Sequence, residues 1–467
     1  LSAADRDLQA AIAVTRFGLG GKAGEIATAR SDPQGFLRAQ IRPSGADRPR
    51  TNGETSAQRI AAFREFQGLR AEAKAGEDPD ARDPVKIAQR MLRTDTGTDF
   101  LGRIALAAST DAGFRERWTL FWANHFTVSA TKLAAATTVG PFEMEAVRPH
   151  VFGRFADLLV AVETHPAMLL YLDQVQSIGP NSPAAQFLRR RPRQGARLTG
   201  LNENLAREIL ELHTVGIGGG YSQADVTELA RALTGVSIGG YRDAEDVVGT
   251  PVFRAVAHEP GPRRIMGVTY AAGGQDQAAA ILSDLAAHPA TARFVCGKIA
   301  RHFVADQPPP ALVARLEAAW LSSGGRLDKV AEALIAAPEA WAPRPAKFKT
   351  PYEFLVSSWR AAGSAPRDIA GLAQTLNGMG QRPFSAPSPK GWPEETGAWA
   401  APDAIVKRMQ WAQGFAELAI GDRNPSELAA QALGACLTPA AAKAIARAES
   451  RSEGFALLLM SPEFQRR

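Results

Sequence analysis

Along most of the chain, apolar residues return every three or four positions with polar residues between them. Leu205, Ile209 and Leu212 do so, as do Val226, Leu229 and Leu233, and Leu282, Leu285 and Ala286. That spacing draws one face of an amphipathic helix. Strict alternation, the mark of a half-buried strand, is scarce. It is found only at Val236 to Ile238, Val252 to Val256 and Ile265 to Tyr270, where Gly239-Gly240 and Gly261-Pro262 supply turns. The pattern predicts a mainly α, multi-helical globular fold, with at most a small β-sheet inserted at about 236–270. Three stretches break the helical rhythm and read as loops: 42–58, 178–200 and 383–402. The last holds five prolines together with Trp392 and Trp399, and rings of that size normally find cover. No repeat of fixed period occurs, and residues 1–467 read as a single large helical domain.

Composition narrows the class of protein. Apolar residues make up 45% and charged residues 22%, which is the range of chains that bury a core. No run approaches the roughly 18–20 apolar residues of a membrane span, so none is expected. The formal charge of +6 comes partly from the cluster Arg189, Arg190, Arg191, Arg193 and Arg197. Aromatic residues are not interleaved with these arginines and no nucleic-acid motif appears, so a nucleic-acid partner is not expected. Cys296 and Cys436 lie in apolar helical contexts and read as buried thiols. No Cys/His ligand spacing exists, and no cofactor or metal is assigned. The chain opens at Leu1 with no Met, which a removed targeting segment or a trimmed start would equally explain.

The most informative stretch is Leu201 to Gly235, which reads as helix, glycine turn, helix. At about 100° per residue, Leu201, Leu205, Ile209 and Leu212 form one apolar stripe. Glu208 borders that stripe, with Asn204 and Glu211 beside it. Glu203 with Arg207, and Arg207 with Glu211, have ion-pair spacing. A carboxyl at the edge of a core is partly desolvated, which raises its pKa and suits it either to a buried hydrogen bond or to proton transfer. His213 sits near the helix end, where an imidazolium complements the exposed carbonyls or serves chemistry. Glu208 and His213 are five apart, which is not a same-face spacing on an α-helix. Gly216 to Gly220 then turn the chain, and Ser222 with Asp225 has the spacing of a capping box.

Here the chain resembles a known family. The segments "GLNENLAREILELHTVG" and "GGYSQADVTELARALTG" are similar to the signature of a bacterial family catalogued as domain of unknown function 1800. Further segments fit: "RFGLG" from Arg16, "RWTLFWANHFTVS" from Arg117, "MLLYLDQVQSIGPNS" from Met168, "HEPGPRRIMGVTY" from His258, "PYEFL" from Pro351, "PFSAPSPKGWP" from Pro383 and "SPEFQRR" at the end. The resemblance implies a mostly helical, largely bacterial and often exported protein. It also implies a functional link to a family similar to the alkaline phosphatases and sulfatases, with an envelope or extracellular polymer as the shared context. The chain departs from the pattern in having Glu259 where an aspartate follows the histidine, and Val236 where a tryptophan follows "LTG".

Outside that stretch, Asn124 and His125 sit among Trp118, Phe121, Trp122 and Phe126, and Asp173 follows the apolar run ending at Leu172. No Gly-x-Ser-x-Gly elbow occurs, which disfavours an ordinary serine hydrolase. These features lead to an expected periplasmic or secreted hydrolase of glycosidase type acting on a carbohydrate polymer. Glu208 would be the raised-pKa acid, Glu211 or Asp173 its partner, and His213 a further catalytic group. Trp122, Tyr171 and Trp392 would be stacking surfaces, and Asn124, His125 and Asn204 polar contacts, since paired carboxylates and flanking rings are the minimal kit for glycoside cleavage. Two alternatives stand beside it: a metal-dependent enzyme using His125, Glu208, His213 and His258, and a non-catalytic envelope binding or assembly protein.

Overall fold

The computed structural model describes residues 2–75, 82–190, 200–240 and 243–467. The fold is mainly helical, at 63%. Many helices start the same way, with a short polar cap followed at once by proline. Asp32-Pro33, Asn424-Pro425, Thr438-Pro439 and Ser461-Pro462 all do so, and each cap side chain accepts a backbone N–H of the first turn. The cap satisfies an orphan donor, and proline fits where no N–H is needed. His165 and His288 do the same with Nδ1 before Pro166 and Pro289, each at 3.1 Å.

Buried apolar side chains from Ile12 to Phe464 form one continuous cluster. At its centre the helix Gly113–His125 runs through aromatic rings: Trp118 stacks on Phe152 at 6.1 Å, and Trp122 meets Phe121 at 5.0 Å. The two ends of the chain are tied together. Arg16 donates to the carbonyls of Ala340 and Arg344, Arg360 pairs with Glu25, and Lys347 and Arg467 exchange backbone hydrogen bonds.

The expected single sheet is two separate two-stranded sheets. Val236–Ile238 pairs antiparallel with Pro251–Phe253, and Arg263–Ile265 with Val268–Tyr270. The second is a hairpin whose two turn residues, Met266 and Gly267, both have positive φ, the geometry that matches strand twist. Ala255 and Val256, expected to end a strand, belong to the 3₁₀ turn Ala255–Ala257 instead. The loop expected at 178–200 contains the helix Pro183–Arg190, while Arg191, Arg193 and Arg197 lie outside the described residues. The segment 383–402 is irregular as expected; Trp399 is buried within it and Trp392 half-buried. No helix of the described residues is long and apolar enough to cross a membrane.

Candidate functional site

The helix that begins at Asn204 runs as an α-helix to Glu208 and then widens into a π-helical turn over Ile209–His213. Such turns are rare and cluster at functional places. The extra residue shifts the phase of the stripe. Leu205, Ala206, Ile209, Leu210 and His213 face inward, and the expected Leu212 is only half-buried. Glu208 and His213, five residues apart, influence each other electrostatically, His213 lowering the Glu208 pKa.

His213 is fully buried. Its Nδ1 donates to Glu163 Oε1 at 2.7 Å, and neither side chain touches solvent. The backbone carbonyl of His213 accepts from His125 Nε2 at 3.1 Å, which leaves His125 Nδ1 to accept from Lys298 Nζ at 2.9 Å. That chain fixes the His125 tautomer. Burial, then the Lys298 ammonium, press its pKa well below the usual range, so the ring is neutral, and burial brings Lys298 down to about 8. His125 and His213 are thus internal groups, held away from a bulk ligand. Trp122 is likewise fully buried among rings, which corrects its expected role as a stacking surface.

Glu208 differs from all of these. It is half-buried, and its side chain has no hydrogen-bond or ion-pair partner among the described residues. Burial raises its pKa; His213 opposes the rise and the Glu211 carboxylate adds to it. Arg207 does not neutralise it, being engaged with Glu203 at 3.3 Å and Gln223 at 3.0 Å. Glu211 faces the Tyr221 hydroxyl at 3.5 Å instead of the expected Arg207. Tyr171 stands by, its phenol pushed up to about 12 by burial and by Glu208. Asp173 takes a left-handed turn conformation and pairs with Lys132 at 2.6 Å, and Asn204 is exposed at the helix start. The capping box of Ser222 and Asp225 forms, and Asp225 also accepts the Met266 N–H at 2.7 Å. Glu259 is buried and accepts from both Asn181 nitrogens at 2.6 Å, so it anchors the 179–182 turn.

A second cluster was not foreseen. A cleft of about 110 Å³ opens beside the helix Gly113–His125, and Asn124 and Trp392 line it together with Arg117, His302, Glu353 and Glu394. Asn124 is a clamp: its amide donates to the Trp392 carbonyl at 3.0 Å and accepts the Trp392 N–H at 2.8 Å. Gly391 makes this approach feasible, since a Cβ there would meet the Asn124 carbonyl oxygen at 2.4 Å. His302 Nδ1 donates to both Glu394 oxygens at 2.9 Å, and its buried Nε2 has no partner. Burial opposes ionisation of Glu394, yet His302, Arg467 and Lys347 hold its carboxyl at about 2. Glu353 joins Arg117 and Arg467. Glu208, Glu211, Asp173 and His213 are not part of this lining.

Among the described residues, no group of three or more His, Cys, Asp or Glu side chains is placed to hold a metal ion. His258, the fourth member of the metal alternative, donates Nδ1 to the Thr234 carbonyl at 2.8 Å. The chain belongs to the family described as protein of unknown function DUF1800, whose model matches residues 12–466. No curated protein and no solved structure matches it.

Proposed function

We propose that this chain is an exported hydrolase that cleaves a glycosidic bond in a bacterial envelope or extracellular polysaccharide. Glu208 is the proton donor and Glu211 its carboxylate partner. One observation carries the reading: Glu208 is half-buried, has no partner among the described residues, and has its pKa raised by burial beside a second carboxylate. In the cleft, Glu353 is tied to arginine and Glu394 to histidine, and both stay ionised, so they are poor proton donors. Asp173 is held by Lys132 and stands behind Glu211 as the partner. A general acid works best with its pKa lifted toward the working pH. Periplasmic or secreted placement and a functional link to a phosphatase or sulfatase-like protein belong to the same proposal.

The test is a screen of purified bacterial polysaccharides for new reducing ends, followed by Glu208→Gln on whichever polymer is cleaved. Cleavage should drop by at least about a hundredfold, the usual contribution of general acid catalysis. Activity of the unaltered chain should fall as pH rises through the raised Glu208 value. A Glu208→Gln protein that turns over at the original rate overturns the assignment.

A further inference from the structure

The cleft beside the helix Gly113–His125 is lined by three arginines, Arg103, Arg117 and Arg382, and three carboxylates, Glu143, Glu353 and Glu394, and of the arginines only Arg382 has no carboxylate partner among the described residues. Glu353 serves both Arg117 and Arg467, and Glu143 serves Arg103 at 3.2 Å, while Arg148 has its own partner in Glu116 at 2.8 Å. Behind the wall, Lys349 and Arg408 are buried with no carboxylate within ion-pair distance among the described residues. Lys349 donates to Ser357 Oγ at 3.0 Å, and Arg408 to the Lys349 carbonyl at 2.8 Å. Burial brings Lys349 down to about 7 and Arg117 to about 10, as expected where cations crowd without enough anions. At the surface of the same cleft, Arg382 is exposed and its guanidinium has no partner among the described residues. Trp392 lines the cleft too. Its backbone is pinned by Asn124, and its half-buried ring rests 6.0 Å from Trp399.

We propose that this cleft binds a sugar unit bearing a carboxylate, with the ring against Trp392 and the carboxylate on Arg382. A guanidinium fork matches a carboxylate in two parallel hydrogen bonds, and a fixed aromatic ring offers a flat apolar face. Arg408, buried behind the wall with no carboxylate partner among the described residues, adds a field that favours an anion over a neutral ligand. The sugar half of this inference rests on the polysaccharide reading. The anion half does not, and binding is assigned to residues separate from Glu208.

The experiment is calorimetric titration with a trimer of galacturonic acid and with the neutral trimer of galactose. It is run on the unaltered chain and on Arg382→Gln, Trp392→Leu and Glu208→Gln. The acidic trimer should bind at least about tenfold more tightly than the neutral one, the worth of one hydrogen-bonded charge. Arg382→Gln should remove that preference, with a smaller dependence on salt. Trp392→Leu should weaken both trimers. Glu208→Gln should bind as the unaltered chain does, whether or not anything is cleaved, so failure of the catalytic reading would leave this site standing. Equal binding of the two trimers, no binding of either, or an Arg382→Gln protein that keeps the preference would overturn the proposal.

Discussion

Replacing Glu353 with Gln removes one buried negative charge and little else. The length of the side chain is kept, and its oxygen still accepts the Thr350 N–H, now 2.9 Å away, so the capping box of the helix Pro351–Ala361 survives. What is lost is the only carboxylate bridged to Arg117 and Arg467 among the described residues, each of them 2% exposed. Arg117 keeps the Gly18 carbonyl and Arg467 the His302 carbonyl, but neither keeps an anion. Breaking one buried pair costs about 3–5 kcal/mol, because the surviving charge stays buried. Two guanidiniums share this carboxylate, so the expected loss is in the upper part of that range, about 4–5 kcal/mol. Thr350→Ala is the control, removing only the cap for about 1 kcal/mol. Urea unfolding followed by tryptophan fluorescence at pH 7 measures both. Acid gives a second check. Burial opposes ionisation of Glu353, yet Arg467 and Arg117 hold its carboxyl well below its ordinary 4.5. A depressed folded value means stability that is present above pH 4.5 and lost as pH falls toward the folded value. The gap between the unaltered chain and Glu353→Gln must therefore narrow below pH 4.5. A loss under about 1 kcal/mol at pH 7, or a gap that ignores acid, would refute the account of this cluster.

Further outcomes follow from the same geometry. Glu208 has a raised folded value, so the stability linked to its proton is present at low pH and lost as pH rises through that value; Glu208→Gln should melt higher than the unaltered chain at pH 8, by about 0.5–1 kcal/mol, and equally at pH 4. If the variant is less stable at pH 8, Glu208 has a favourable partner. Gly391→Ala places a Cβ 2.4 Å from the Asn124 carbonyl oxygen at a φ of +85°, so it should cost about 1–3 kcal/mol and shift Trp392 fluorescence; an unchanged spectrum would contradict the clamp. Cys296 and Cys436 are unpaired, and burial pushes both thiols up. A thiol reagent should label the folded protein slowly, yet find both thiols in guanidinium without reductant, whereas a disulfide would leave none.

What the sequence made legible was local. The stripe of Val226, Leu229 and Leu233 and the capping box of Ser222 and Asp225 depend on residues within one or two turns, and both are present. The cleft was not legible, because its bonds join distant segments. Arg117 meets Glu353 across 236 residues, Asn124 meets Trp392 across 268, and His302 meets Glu394 across 92. Singly, His302 reads as a cation in the last turn of a helix, and Glu394 as one of two acids in a proline-rich loop. The available signals were Thr350-Pro351-Tyr352-Glu353, a capping box in plain view, and tryptophans in a segment too aromatic to lie loose.

The step that misled the helical reading also explains how both clusters are built. Periodicity at about 100° per residue assumes an α-helix throughout. Among the described residues the chain departs from it in three π-helical turns, Ala13–Phe17, Glu143–Val147 and Ile209–His213. Each carries a buried ionisable side chain: Arg16, Glu143 and His213. One added residue lets a helix keep its apolar stripe and still turn one polar group inward. Arg16 uses that turn to bind the Ala340 carbonyl at 2.8 Å, joining the first helix to the distant half of the fold. Glu143 uses it to meet Arg103 at the cleft wall. His213 uses it to reach Glu163, and Glu208 lies outside that buried pair, half-covered and without a partner among the described residues. A regular helix over 204–213 would set Glu208 and His213 on different faces, and the imidazole would lose its influence on that carboxyl. The free carboxyl at the centre of the proposed chemistry is therefore a product of the irregular turn that follows it.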